Sequence, residues 1–416
     1  MVKIRKLDCG IRVAMEKIPY VQSAAIGILT RTGSVNEVKK IEGISHLIEH
    51  MMFKGTETRS AKQIAEDVDK IGGQMNAFTG KEATCYYIKT LATNVDKALE
   101  ILLDMFLNST FDKKELSKEK KVICEEMKMI EDSPEDVVHD MICEQIFKGL
   151  PLGASIIGTP TSLRGISRDT IFEYIKNQYT LDSIVISIAG NFDEEHVCEI
   201  LEGSLASLEK TKASTAPAEL PYKPSYRVKV KDIEQAHICM GMRGLALDDD
   251  RYYALALLSN ILGGTMSSRL FQNIREEKGL AYSVYSMFSS FSNAGYFNIY
   301  AATSHEKIAE AIGGIKEELK LLKENGVSEE ELATSKEQLK SSYIFGQENV
   351  AGRMFSIGKN AVLLNKVYTP EEVLSSVNAV TLSDIHDMAD MLCDVKNYCG
   401  AAVTNKKINL KSLIWK

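Results

Sequence analysis

A chain of 416 residues, 44 % hydrophobic and 26 % charged, has the composition of a soluble globular protein long enough for two cores. Its 57 acidic and 50 basic residues leave a net charge of −7, which disfavours nucleic acid as a partner, and no apolar run approaches the roughly eighteen residues of a membrane span. The eight cysteines include no Cys-x-x-Cys pair, which argues against a disulfide framework or a thiolate metal site and points to a reducing, cytoplasmic compartment.

In chain order, MVKIRKLDCGIRVAMEKIPY reads as strand, turn and strand, with neither the apolar core of a signal peptide nor an Arg- and Ser-rich transit segment. SAAIGILTRTGS reads as a further strand. Next comes GISHLIEHMMFKGT, Gly43 to Thr56, which holds two of the seven histidines. On a helix, residues i and i+4 share a face one turn apart, so His46 and His50 can both direct an imidazole nitrogen at one zinc ion. Glu49 lies beside His50, where a carboxylate can hold a metal-bound water and take its proton during attack on a peptide carbonyl. The order His-x-x-Glu-His is the inverzincin signature. A lone buried histidine is usually a hydrogen-bonded core residue, but two histidines and a glutamate on one apolar turn are expensive to bury without a metal.

Zinc needs a third protein ligand, leaving a fourth position for water. IGGQMNAFTGKEATCYY, Ile71 to Tyr87, reads as a hairpin, and YYIKTLATNVDKALEIL as a strand running into a helix. FDKKELSKEKKVICEEMKMIED then predicts an amphipathic helix from about Lys113 to Glu131. Glu119, Val122, Ile123 and Glu126 form one stripe of it, since seven residues are nearly two turns. Glu126 is a candidate ligand, with Glu119 on the same face to support a histidine. Glu125, about 100° round the helix, is the rival.

The two halves of the chain resemble each other. Tyr86 to Leu102 aligns without gaps with Tyr296 to Ile312, and GISRDTIFEYIKNQYTLDSIVISIAGN parallels AVTLSDIHDMADMLCDVKNYCGAAVTN. Each member of the second pair has a Thr or Ser cap, an apolar-periodic helix and a β-rich strand. The expected organisation is α+β: two homologous domains of similar size, each a mixed sheet layered with helices. They are expected at 1–208 and 227–416, joined by a linker at 209–226 that is rich in proline. Sliding the halves by 209 positions sets His46 against Leu255 and His50 against Ser259. At an offset of 216, Glu126 falls against Ser342. One copy therefore carries the whole metal set and the other carries none of it.

These residues resemble the pitrilysin/insulinase (M16) zinc metallopeptidases, in size the mitochondrial processing peptidase-like branch, over nearly the whole chain. The family pattern places a ligand glutamate some 75 residues after His-x-x-Glu-His, which favours Glu126 over Glu125. The resemblance implies His46, His50 and Glu126 as zinc ligands, Glu49 as general base and Glu119 as the carboxylate orienting a ligand histidine. It implies that Asn76, Ala77 and Phe78 form an edge strand that pairs with extended substrate. It also implies that Arg275 and Tyr282, spaced Arg-x6-Tyr in SSRLFQNIREEKGLAYSVYS, bind substrate near developing negative charge.

The implied function is a zinc-dependent endopeptidase acting on unfolded peptides. The implied assembly is a clamshell homodimer, without nucleic-acid or membrane partners. The alternative is a non-catalytic core or substrate-binding subunit of a heteromeric processing complex.

Overall fold

The computed structural model describes residues 2–205 and 222–415. Most of the linker expected at 209–226 therefore lies outside the described residues. Two compact units emerge, neither contiguous in sequence. One takes the chain up to Met127, the segment beginning at Ala154, and Ile344–Pro370; the other takes Lys128–Gly153, the stretch ending at Tyr343, and the chain from Glu371 onward.

The first unit is built on six strands: β1 (Val2–Lys6), β2 (Arg12–Lys17), β3 (Ser23–Thr30), β4 (Gln74–Thr79), β5 (Thr84–Leu91) and β6 (Ile184–Gly190). They lie in the order β1-β2-β6-β3-β5-β4. Position in the sheet follows residue type. The apolar runs SAAIGILT and IVISIAG are buried along almost their whole length and lie centrally, whereas the polar β1 and β4 lie at the edges. The helix Val350–Leu364 crosses β3 and β6 on one face. It approaches so closely that a Cβ on Gly27 would lie 2.6 Å from Met354 Sδ. Beside this crossing, the Ser187 hydroxyl donates to the Met354 carbonyl at 2.7 Å. The helices Ile44–Met52 and Val95–Asn108 also pack against this sheet.

The second unit repeats the plan with β7 (Tyr226–Val230), β8 (Ala236–Gly244), β9 (Ser283–Ser290), β10 (Gly295–Thr303) and β11 (Cys399–Thr404), ordered β7-β11-β8-β10-β9. β11 runs parallel to β7 as β6 does to β2, and the remaining pairs are antiparallel. The helix Pro134–Ile146 packs on β8 and β11. Each unit thus takes one covering helix from the opposite half of the sequence. The paired helices anticipated from the repeat begin at matching caps: Ser167 Oγ accepts from the Thr170 amide at 3.1 Å, and Thr381 Oγ1 from the Asp384 amide at 3.2 Å. No helix among the described residues is long and apolar enough to cross a membrane.

Candidate metal centre

The helix Ile44–Met52 buries Ile44, Ser45, Leu47, Ile48, Met51 and Met52. The three residues it leaves partly exposed are His46, Glu49 and His50. One face of this short amphipathic helix packs into the unit and the other carries its ionisable groups. The imidazole rings lie 4.6 Å apart, centroid to centroid, at 68°.

The helix Lys113–Asp132 brings Glu126 to them. His46 Nε2 is 3.9 Å from Glu126 Oε1, and His50 Nε2 is 3.6 Å from Glu126 Oε2. One donor atom from each of the three residues lies within 4.8 Å of the others. Tetrahedral zinc with bonds of about 2.0–2.2 Å sets its ligand atoms about 3.4 Å apart, so small side-chain adjustments bring this set to coordination distance. Glu125 on the same helix is exposed.

Hydrogen bonding sharpens the fit. Glu119, itself buried, places Oε2 3.2 Å from His50 Nδ1 and Oε1 2.9 Å from Lys54 Nζ. Glu119 is thus bracketed by a lysine ammonium and an imidazole, and its Oε2 is placed to accept a hydrogen bond from Nδ1–H of His50. In the tautomer that donates from Nδ1, the Nε2 lone pair of His50 faces the Glu126 carboxylate. Two acceptors facing each other repel unless a cation lies between them. His46 also suits a ligand: burial first, then the neighbouring His50, pulls its pKa down to about 4, leaving the ring neutral, as metal binding requires. Its Nδ1 is buried without a hydrogen-bond partner among the described residues.

Glu49 is positioned from β4. The Thr79 hydroxyl donates to its Oε2. Burial raises the pKa of Glu49 above the ordinary 4.5, opposed by the Thr79 bond and by His50. β4 is the outermost strand of its sheet, so its outer backbone edge has no neighbouring strand in that sheet. Alternation puts Ala77 and Thr79 on the side of the metal helix and Asn76 and Phe78 on the other. Phe78 accordingly meets Phe355 there, ring centroids 5.6 Å apart.

Arg275 and Tyr282 belong to the second unit. Arg275 sits in a π-helical turn, Phe271–Glu277, with its guanidinium 4.7 Å from the Phe271 ring centre. π-helical turns are rare and favour functional sites. Tyr282 directly precedes β9 and is 63 % exposed, with its amide donating to the Ala302 carbonyl at 2.8 Å. Thr79 and Lys54 escaped the sequence reading. Lys54 had a signal, lying four residues after His50; Thr79 had only its place directly after Asn76-Ala77-Phe78.

The insulinase domain of peptidase family M16 matches residues 12–160, which contain His46, Glu49, His50, Lys54, Thr79, Glu119 and Glu126. The uncharacterized zinc protease YmxG of Bacillus subtilis is 43 % identical over 392 residues, covering 94 % of this chain and 96 % of its own. The chain belongs to peptidase family M16. The M16 inactive domain matches residues 165–339, including Arg275 and Tyr282. An uncharacterized zinc protease of Rickettsia felis is 39 % identical, with 94 % of each chain covered. Two solved structures match over nearly the full length. The peptidase M16 inactive domain from Pseudomonas fluorescens gives a TM-score of 0.91 at 18 % identity, covering 98 % of both chains. A protease from Helicobacter pylori gives 0.89 at 22 %, covering 97 % of this chain and 99 % of its own. These two show that the chain shares their fold.

Proposed function

We propose that this M16 chain is a zinc-dependent endopeptidase that cleaves unfolded peptides held as an extended strand along β4. The observation that carries the proposal is the meeting of His46, His50 and Glu126 at near-coordination spacing, with Glu49 restrained beside them by Thr79. The zinc-protease names of its relatives support the same reading.

His46, His50 and Glu126 would hold the zinc. Zinc, when bound, supplies the Lewis acidity that makes water a nucleophile near neutral pH. Glu49 accepts the proton of the attacking water and passes it to the leaving amine, and Thr79 fixes the orientation of its carboxylate. Glu119, backed by Lys54, keeps the proton of His50 on Nδ1. The free edge of β4 offers backbone donors and acceptors, which suits substrates of varied sequence because pairing uses the main chain. Arg275 and Tyr282 are assigned to the substrate as a cation and a phenol that offset charge developing on the carbonyl oxygen.

The eight free thiols support a cytoplasmic, reducing location. A homodimer, in which the second domain of one subunit serves the first domain of its partner, is part of the same proposal.

The test is cleavage of a mixed pool of unstructured peptides by wild type and by Glu49→Gln, with zinc content measured on both. The expected result is loss of cleavage by about 10²–10⁴-fold with zinc retained. Equal cleavage by the two proteins would remove Glu49 from its role. Zinc binding without cleavage by wild type would favour the substrate-binding subunit instead.

A further inference from the structure

The metal helix lacks the cap that other helices of the same unit have. Ser60 caps Ala61–Lys70 and Ser167 caps Arg168–Gln178 through their own hydroxyls, whereas Ile44–Met52 begins at Gly43, which has no side chain. Gly43 is required there. Its φ is +90°, and a Cβ would lie 2.6 Å from the Ile157 carbonyl oxygen. A local side-chain cap is therefore unavailable at the helix that carries two of the three proposed ligands.

Its place is taken by a residue six positions upstream. Glu37, only 7 % exposed, accepts from the Gly43 amide through Oε2 at 2.7 Å and from the Ser45 amide through Oε1 at 2.9 Å. The Ser45 hydroxyl is in turn 3.0 Å from the buried Tyr174 hydroxyl. Burying a carboxylate is costly, and here two helix amides and the positive end of the helix dipole offset that cost. Burial pushes the pKa of Glu37 up to about 7 against the pull of those amides.

The two histidines depend on this helix end unequally. His50 is oriented by Glu119 through its own ring. His46 Nδ1 has no hydrogen-bond partner among the described residues, so its ring is aimed chiefly by the placement of the helix backbone, and it directly follows Ser45. We infer that Glu37 is a positioning residue for the metal site, a detached N-cap that fixes the first turn of the metal helix and through it the approach of His46 to zinc. The inference rests on the zinc assignment made above.

The test compares two cap losses in the full-length chain at pH 8. Glu37→Gln loses the charge and turns an amide N–H toward a backbone N–H. Ser60→Ala removes an ordinary cap, which accepts from the Gln63 amide at 3.3 Å, from a helix without ligands. Zinc affinity is read by competition with a chelator, and thermal melting of the zinc-free proteins is followed alongside. Both variants are expected to melt earlier. Glu37→Gln is expected to weaken zinc binding about 10–100-fold, while Ser60→Ala stays within about twofold of wild type.

Glu37→Asp, which keeps the charge but reaches only one amide, is expected to fall between them and serves if the glutamine variant does not fold. Wild-type zinc affinity in either Glu37 variant would overturn the inference. Wild-type protein whose zinc binding is insensitive to His50→Ala would instead overturn the zinc assignment itself, and this inference with it.

Discussion

The helices Ile44–Met52 and Tyr252–Gly263 pack against corresponding edge strands, β4 and β9, of sheets that share the order of five strands, β1 being extra in the first. Yet they present opposite chemistry. In the first, His46, Glu49 and His50 keep partial exposure. At the matching places in the second, Leu255 and Leu258 are buried, and the Ser259 hydroxyl lies 3.3 Å from that of Ser286. The same backbone plan thus serves as a dry core in one unit and as a polar, partly open face in the other. The polar face is tolerated where Glu37, Glu119, Lys54 and Thr79 hold its groups and where a cation can sit among them. Two units built on one order of five strands thus differ in which side chains this helix presents.

The largest expected difference lies in the cores. Leu255→Ala should destabilise the zinc-free protein by about 2–5 kcal/mol, because it leaves a cavity in a packed helix. His46→Ala should cost less than half as much in the same urea titration, since it also removes a buried unpaired nitrogen. Equal costs would mean that the two helix faces are packed alike, and the contrast would fail.

A smaller effect is expected at the supporting carboxylate. Glu119→Gln should weaken zinc binding about 10–100-fold, by loosening the Nδ1–H of His50 and leaving Lys54 without its partner. Direct titration with a competing chelator reads this, and wild-type affinity would separate Glu119 from the metal. Smaller again, Thr79→Val removes the hydroxyl bonded to Glu49. Peptidase kcat should fall by roughly five- to tenfold, in line with one hydrogen bond of about 1 kcal/mol, with KM little changed. A change confined to KM would assign Thr79 to substrate binding instead.

The smallest effect concerns the unit without the metal set, which carries an ion pair of its own. Arg269 donates through Nε and Nη2 to the two oxygens of Glu331 at 2.7 and 2.8 Å. Arg269 is the first cause of the fall in the Glu331 pKa from 4.5 to about 2. A depressed carboxylate stabilises the fold fully above the unfolded pKa and loses that contribution as pH falls from 4.5 toward 2. Arg269→Gln should therefore melt below wild type at pH 6, and the gap should narrow at pH 3. An unchanged gap would assign the stabilisation to packing of the arginine stem.

Several of these features are readable without coordinates, for local reasons. That His46 and His50 share a face follows from i, i+4 spacing, and the polar interruption of an apolar helix marks where burial would be costly. The α+β class and the duplication follow from strand and helix periodicities that recur in order. Choosing Glu126 over Glu125 was different: 100° of helical rotation left both possible, and the family spacing decided it.

The rest depends on tertiary structure. An amphipathic stripe says that Val350–Leu364 and Pro134–Ile146 are half-buried but not on which sheet, so the exchange of helices between the halves was invisible. Thr79, Lys54 and Glu37 are ordinary residues until folding brings them to Glu49, Glu119 and the amides of Gly43 and Ser45. The outward turn of Phe78 onto Phe355 depends on strand register, which local sequence specifies only through its neighbours.

The central claim is that a cation belongs where His46, His50 and Glu126 meet and that its sister helix has no such place. The most direct measurement converts the first helix toward the second with His46→Leu and His50→Ser together, then counts zinc per purified chain by elemental analysis. The account predicts one zinc per wild-type chain, none in the double variant, and a double variant that remains folded by circular dichroism. Zinc retained at wild-type stoichiometry in the folded double variant would contradict it.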